Sequence, residues 1–405
     1  MKVLLLGAGG QGGPCASIMA RDASIGKVIL ADSDLSLAQR VVAKVGSAKI
    51  APVRLDASDV RAVTEASKGC DVIIDLTPVW LGPTVIAAAL QAGTNYLSTS
   101  FDVPYLDQFA LGQEIHLDRE LKAAGVTALL GCGLAPGFVN VMVRRCCDRL
   151  DTVKSVKYRL GKKKLNLGEY GDVTEPWNPG WSPKQALIDF SNPCYVFRNG
   201  KFETLPPFSE IEDFPFPPPT GNMLVSHHTH EEVVSTPIVI GKGIEYCDFK
   251  YYVARPAATF VAMGLASQEE VEFEGHRIKP IDFIVHFVPR PGNAFFEEDR
   301  DRLDEADAAL AIPSVLIIEG TKGGKPVKHT IHCPKLTGHA KALYDLFGTS
   351  LVSIALPAVT GAKMLHEGAG GLSPGINLPE QLDPERFLEL FLGTGIPYEW
   401  EERVE

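Results

Sequence analysis

The sequence predicts an α/β protein, a doubly wound parallel sheet followed by a second α+β domain on a largely antiparallel sheet. Three observations lead there. Strand-like and helical runs alternate through the first 131 residues, a glycine-rich turn joins the first strand to the first helix, and beyond residue 131 the rhythm changes to strand runs broken by Pro/Gly turns.

In the first domain, 1–131, Val3 to Leu6 is an apolar strand, Pro14 to Arg21 a helix, and Lys27 to Ala31 a strand ending in Asp32. Ile50 to Leu55 is the third strand and ends at Asp56, Val60 to Lys68 is helical, and Asp71 to Leu76 is a strand running into Thr77-Pro78. A helix over Pro83 to Ala92, a short strand Asn95 to Ser98, a long helix Asp107 to Ala124 and a sixth strand Val126 to Leu130 complete the domain. Ligands of such sheets bind at the carboxyl ends of the strands, which here carry Gly7, Asp32, Asp56, Thr77, Ser98 and Gly131.

The turn in KVLLLGAGGQGGP spaces Gly7-x-Gly9-x-x-Gly12 as a Rossmann dinucleotide fingerprint requires. Gly7 permits the tight turn, Gly9 lets backbone N–H groups approach a pyrophosphate, and Gly12 lets the helix pack closely on the strand. Gln11 lies in the same turn, and the helix N-terminus faces the anion. Asp32, about 20 residues past Gly12, stands where a carboxylate accepts the ribose hydroxyls. That carboxylate repels a 2′-phosphate, and no Arg or Lys follows in Ser33-Asp34-Leu35, so NAD is favoured over NADP. Asp32 and Ser33 are therefore expected at the ribose, with Thr77 and Pro78 along the cofactor toward its nicotinamide. Asp56 has two readings, a bond to the adenine or a cap for the next helix.

The second domain is expected over 132–338. Thr152 to Leu160 is strand-like, and Gly161 to Pro183 is rich in Gly, Pro, Asn and Trp. Val233 to Ile240, Glu245 to Val253, Ile281 to Val288, Ser314 to Ile318 and Val327 to Cys333 read as strands, the last two joined into a hairpin at Gly323-Gly324. Glu297 to Leu310 reads as a solvated surface helix. The remainder, 339–405, is expected to supply helices, chiefly Ser350 to His366, that pack back on the first domain.

Composition bounds the function. The chain has 405 residues, 45% hydrophobic and 22% charged, which suits a globular protein of two or three domains. A net charge of −11 argues against a general nucleic-acid binder. No run is long and apolar enough for a membrane helix, and the chain opens on a strand rather than a signal peptide, so a cytoplasmic location is expected. The eight cysteines show neither a CxxC pair nor a Cys/His metal spacing; buried thiols are expected, and no metal. Cys132 stands apart because it lies in a glycine-rich turn.

That turn, GCGLAPGFVN from Gly131 to Asn140, follows the sixth strand. Its glycines allow close backbone approach to a ligand, and Pro136 suits the first turn of a helix continuing to Asp148. It is expected to face the nicotinamide, with Gly133 and Leu134 toward the cofactor and Ala135 and Pro136 toward the substrate.

As a set, GAGGQG, Asp32, IDLTP (Ile74 to Pro78), AGTNYLSTS (Ala92 to Ser100), KAAGVTALL and GCGLAPGFVN resemble the saccharopine dehydrogenase-like family. The resemblance runs on through Trp181 to Pro217 and the late helix SLVSIALPAVTGAKML, and so covers most of the chain. Ala135-Pro136-Gly137, the WSP segment and the His/Thr-rich segment Ser226 to Thr236 look most like the lysine 6-dehydrogenases of that family, whereas Ser98-Thr99-Ser100-Phe101-Asp102 is closer to its saccharopine-type members. The resemblance implies an NAD-dependent oxidoreductase acting on a C–N bond of an amino acid or diamine. Its first implication is oxidative deamination of the lysine side-chain amine to the semialdehyde. The alternatives are a saccharopine-type or carboxynorspermidine-type dehydrogenase, or a homospermidine-synthase-like enzyme using NAD transiently. The second domain is then expected to shape the substrate site and a homodimer.

Such chemistry needs a base for the amine proton while the cofactor carries the hydride. Ser226-His227-His228-Thr229-His230-Glu231 is the densest titratable cluster. In an extended segment His228 and His230 share one face, and His227, Thr229 and Glu231 the other. His228 and Glu231 are the candidates for base or amine-binding group, the alternative being a solvated polar loop. Trp181 and Ser182 offer a substrate wall that holds a cation and donates a hydrogen bond, or simple lid packing. Asp102 is either a partner for a substrate ammonium or a turn residue. A non-catalytic NAD-binding regulator would keep the glycine turn and Asp32 and need none of these groups.

Overall fold

Short, mostly apolar strands separated by helices can bury both faces only in a parallel sheet covered on each side. The computed structural model, which describes residues 1–101, 103–162, 177–179, 181–218, 220–289, 292–303, 313–335, 339–368 and 370–405, shows that sheet. Strands β1 (Lys2–Leu6), β2 (Lys27–Asp32), β3 (Ile50–Arg54), β4 (Val72–Asp75), β5 (Asn95–Ser98) and β6 (Thr127–Leu129) pair in parallel in the order β6-β5-β4-β1-β2-β3. The order reverses between β1 and β4, which opens a crevice at the carboxyl edge there. Helices α1 (Gly12–Arg21), α2 (Leu35–Val45), α3 (Val60–Ser67) and α4 (Gly82–Ala92) alternate with the strands. Asp34 and Asp59 cap α2 and α3, each accepting from two backbone N–H groups. The long helix expected over Asp107 to Ala124 is instead two, α5 (Val103–Ala110) and α6 (His116–Ala124), parted by a turn through Gly112.

The second sheet contains nine strands among the described residues. Its centre is β7 (Thr152–Leu160), flanked by α7 (Phe138–Asp148) before it and α8 (Pro183–Ser191) after it in the chain. Around it lie β8 (Cys194–Arg198), β9 (Lys201–Leu205), β10 (Glu212–Phe216), β11 (Gly221–His227) and β12 (Tyr246–Tyr252), with helix α9 (Glu232–Ile240) between the last two. A small hairpin, β13 (Val271–Phe273) and β14 (His276–Ile278), stands apart, and β15 (Ser314–Lys322) and β16 (Lys325–Lys335) form the predicted long hairpin. β7 and β12 run parallel; the other described pairings are antiparallel.

Period-two alternation gives this sheet two chemically different faces. On β12, Phe249 and Tyr251 turn toward a cavity, whereas Asp248 and Lys250 join a polar network on the opposite face. Arg159 on β7 donates to both oxygens of Asp248 at 2.8 and 2.9 Å and to Glu212 at 3.1 Å, with Arg159 and Asp248 nearly fully buried.

Two expected strands are helices. Val233 to Ile240 lies in α9, whose residues Glu232 to Pro237 are all buried, and Ile281 to Val288 begins as the helix Pro280–Val285. A short β-branched apolar run carries the composition of a strand, and packing on all sides overrides that preference. In the span expected as a surface helix, residues 298–303 hold only the 3₁₀ turn Arg300–Arg302, after a helix Gly292–Glu297; residues 304–312 lie outside the described ones. The late apolar helix forms as Ala355–Glu367 and packs on α1, β4 and β5. The chain's end adds a strand to each sheet, β17 (Gly375–Asn377) beside β6 and β18 (Glu399–Val404) beside β16, neither of which the sequence announces.

Candidate active site

The loop after β1 is built by steric necessity. Gly7 has φ +96°, and a Cβ on Gly12 would stand 2.1 Å from the Gly7 carbonyl oxygen, so the first turn of α1 packs as closely as backbone allows. A Cβ on Gly9 would meet no protein atom within 4 Å, which leaves that side of the loop open for a pyrophosphate. Asp32, at the end of β2, accepts from Ala8 N and Asp34 N, both at 2.8 Å, and so ties the glycine loop to the strand beside it. Exposed Ser33 lies 3.5 Å from the same carboxylate. These residues fit a dinucleotide's phosphates and ribose. Asp56 is exposed and holds a local turn through Ser58 N and Oγ, while the cap of α3, the second of its two readings, comes from Asp59 instead.

At the end of β4 the Thr77 N–H and hydroxyl both donate to buried Asp75, which also accepts from Tyr96 Oη at 2.9 Å. Burial raises the Asp75 carboxyl and these three bonds oppose it. Thr77 thereby sets the path of Pro78, which lines a cavity of ≈ 270 Å³ between the carboxyl edge of the first sheet and the second sheet. Gln11 lines the same cavity from the glycine loop, and Gly133, Leu134, Ala135 and Pro136 line it from the turn after β6. The Ala135–Pro136 peptide is cis, and Gly133 N donates to Pro136 O at 2.8 Å, closing the turn on itself. Cys132 is buried behind the turn against Pro357 O, and burial pushes its thiol up to about 12, which makes it a packing residue.

The opposite wall comes from the second domain. Trp181 and Ser182 line the cavity, and Ser182 also caps α8 by accepting from Gln185 N. From α8 itself come Gln185 and Asp189, with Gln185 Nε2 donating to Asp189 Oδ1 at 2.7 Å. β11 ends at His227, and the alternation expected beyond it fails: His228, Thr229, His230 and Glu231 all reach the cavity, because the chain curls there into α9. His227 turns away to Glu210 at 3.0 Å. Asp102 lies outside the described residues.

Electrostatics divides the histidines. His228, buried among Phe190 and Tyr251, has its pKa held well below the usual value by burial and is neutral. Burial would lower His230 as well, yet its ion pair with buried Glu232, with Glu231 and Asp189 nearby, raises it to about 9. It stacks on Phe249 at 3.9 Å. Glu231 is raised by burial against the opposing charge of His230 and accepts from Phe101 N. Asp189 is raised to about 7 by burial and by Glu231, against the Gln185 bond and His230. No lysine or arginine occurs among the described residues lining the cavity.

The His230 pair contributes stability that is complete below about pH 6.5, the usual imidazole value, and is lost as the pH rises through about 9. Glu232→Gln is expected to bring the His230 titration midpoint below 8, read by NMR of the imidazole; an unmoved midpoint would show that Glu232 is not the cause. His230, Glu231 and Glu232 lie close enough to surround an ion, as do Cys146, His329 and Glu402. In the first group the His230–Glu232 ion pair engages those atoms, and in the second Arg149 already sits 2.6 Å from Glu402 and 3.1 Å from the Cys146 sulfur.

Sequence reasoning passed over Gln185, Asp189 and Glu232, and named His230 in the titratable cluster without giving it a role. A signal for the first two existed: a polar pair at i, i+4 on a helix whose remaining core positions, Ala186, Leu187, Ile188 and Phe190, are apolar.

A glycine-loop sheet edge facing a second-domain cavity rich in acids and aromatics defines a two-domain, dinucleotide-dependent oxidoreductase. The family signature described as "Saccharopine dehydrogenase NADP binding domain" matches residues 3–129, and that described as "Saccharopine dehydrogenase C-terminal domain" matches residues 133–396. The chain belongs to the saccharopine dehydrogenase family and is an NAD(P)-dependent dehydrogenase acting on CH–NH groups. It is 24% identical to carboxyaminopropylagmatine dehydrogenase of Synechocystis sp., over 100% of this chain and 98% of that one. It is 23% identical to carboxynorspermidine synthase of Vibrio alginolyticus, over 99% and 97%. The apo saccharopine dehydrogenase (L-Glu forming) structure from Saccharomyces cerevisiae shares the fold with a TM-score of 0.66 at 19% identity, covering 99% of both chains. No helix among the described residues is long and apolar enough to cross a membrane.

Proposed function

We propose that this enzyme makes or breaks the C–N bond of a secondary amine joining a diamine or agmatine-like amine to a short amino-acid chain, using NAD. The observation that carries this reading is the cavity wall. Asp189 and Glu231 supply carboxylates, Trp181, Phe249 and Tyr251 supply aromatic surface, no described lining residue is a lysine or arginine, and the one protonated lining group, His230, is offset by its pair with Glu232, a combination that attracts an extended cation. The relatives that match from end to end carry the names of polyamine enzymes, which favours this substrate class over oxidative deamination of lysine. When bound, the dinucleotide supplies or takes a hydride at nicotinamide C4. Gln11, Pro78 and the Gly133–Pro136 turn line the same cavity as the acids, which supports a role for them in orienting the nitrogen-bearing carbon toward it.

The test is a coupled assay in both directions. NADH is expected to be consumed when propane-1,3-diamine or agmatine is supplied together with a four-carbon amino-acid semialdehyde, and not with either alone. Ammonia release and NADH formation from lysine alone would overturn the reading in favour of lysine deamination.

Asp32 carries the cofactor preference. Loss of a charge-assisted bond to the ribose is worth about 1.5–3 kcal/mol, or about tenfold or more in affinity. Asp32→Ala is therefore expected to raise the NADH Kd about tenfold or more while NADPH binding stays level or tightens, so the preference narrows. Fluorescence titration with both nucleotides checks it, and equal effects on the two would remove Asp32 from nucleotide selection.

A further inference from the structure

Helix α8 brings two acceptors to the cavity that nothing else in the site engages. Gln185 spends its Nε2 on Asp189 Oδ1, which leaves Gln185 Oε1 buried with no hydrogen-bond partner. Asp189 takes no hydrogen bond besides that from Gln185 among the described residues, and both side chains line the cavity. A buried carbonyl oxygen without a donor is costly to leave unmade, on the order of 1–3 kcal/mol, and a bound N–H group is what removes that cost. Glu231 lies across from them, coupled to Asp189 by repulsion, while His230 is committed to Glu232. Gln185, Asp189 and Glu231 thus line one cavity, and an ammonium nitrogen entering it would offer three donors.

We propose that Gln185 and Asp189 together receive the reacting amine nitrogen, Gln185 Oε1 and Asp189 Oδ2 accepting its N–H groups and Asp189 taking the proton it must lose before it attacks an aldehyde. This rests on the C–N reading above. In the forming direction, R–NH3⁺ gives a proton to the Asp189 carboxylate, and the freed lone pair forms the new bond to the aldehyde carbon. The resulting carbinolamine hydroxyl takes the proton back from Asp189 and leaves as water, which yields the iminium R–NH⁺=CH–R′ and restores the carboxylate. When bound, the dinucleotide would supply the hydride that this carbon takes, so ammonium, aldehyde, NADH and one solvent proton give protonated secondary amine, NAD⁺ and water.

The groups facing Asp189 agree with this role. They are Glu231 and His230, with Glu232 beyond and His228 neutral. The two helices packed against α8, Arg255–Ala262 and Pro280–Val285, carry charge only at Arg255 and Asp282, and Asp282 is paired with Lys184 at 2.6 Å. A carboxyl raised to about 7 is a base only above that pH, so the rate should climb through neutrality and level off.

The experiment compares the parent with Asp189→Asn and Gln185→Leu. Asp189→Asn is expected to lower kcat about 100-fold and to erase the limb near pH 7. It should raise the Kd for propane-1,3-diamine or agmatine about tenfold at pH 8 and leave NADH binding unchanged. Gln185→Leu should weaken amine binding in the same sense, and it carries the test if Asp189→Asn does not fold. Turnover by Asp189→Asn within threefold of the parent, with the same pH limb, overturns the proposal while the C–N reading stands. Amine binding lost in the variants of a parent that turns nothing over sinks the C–N reading and keeps the amine subsite. A parent that neither binds these amines nor turns them over removes both.

Discussion

Asp248→Ala is expected to destabilise the protein by about 3–5 kcal/mol, the cost of leaving a buried guanidinium without its partner. Arg159 donates two parallel bonds to Asp248, and both side chains are withdrawn from water. Glu212, 3.1 Å from Arg159 Nε, is half-buried and reaches only one edge of the guanidinium. The pair joins β7 to β12 in their parallel pairing, and β12 carries Phe249 and Tyr251 on its other face. Activity should fall with stability, because the aromatic wall of the cavity rests on that strand. Urea denaturation checks the first claim through the midpoint at unchanged slope, and a loss under about 1 kcal/mol would show that Glu212 alone suffices to neutralise the guanidinium.

Gly12→Ala should be nearly as severe at the cofactor. A methyl group 2.1 Å from the Gly7 carbonyl oxygen has backbone on one side and the helix on the other, so α1 has to move away from β1. Forced overpacking of this kind costs about 1–3 kcal/mol. A displaced helix N-terminus also withdraws its N–H groups from the phosphates, and the NADH Kd is expected to rise about tenfold or more. Gly9→Ala is the control, since a Cβ there meets no protein atom within 4 Å. It should keep its melting temperature and lose nucleotide affinity. Equal melting temperatures and equal Kd values for the parent and Gly12→Ala would refute the steric account of the loop.

The nucleotide-binding half was legible almost element by element because its signals are local. Each of the six strands is a run of three to six mostly apolar residues with a carboxylate, threonine, serine or glycine at or just past its end, and the spacing of Gly7, Gly9 and Gly12 is a backbone requirement written in three positions. The same local reading failed at Val233 to Ile240 and Ile281 to Val288, where short β-branched or aromatic runs suit a buried helix as well as a strand. It failed at Gly375–Asn377 because three residues of any composition acquire strand geometry from a neighbouring edge, here β6.

In the cavity, residues named from motifs, among them Ala135, Pro136, Trp181, His228 and Glu231, converge from segments far apart in the chain. What each can do there was not readable beforehand. Two histidines two residues apart hold different charge states, because His228 is enclosed by aromatic rings and His230 has Glu232 against it. Asp189 looked like any polar residue on a helix until the turn after His227 carried Glu231 across from it.

Chain order alone settled the parallel sheet, the glycine cradle and the carboxylate at the end of its second strand, since those depend on dihedral preference and on neighbours within a few residues. Folding in three dimensions settled which acids share a wall, which imidazole holds a proton and where the unpartnered Gln185 oxygen lies beside a carboxylate. Charge and burial are set by groups brought together from distant parts of the chain, and no local pattern encodes their separation.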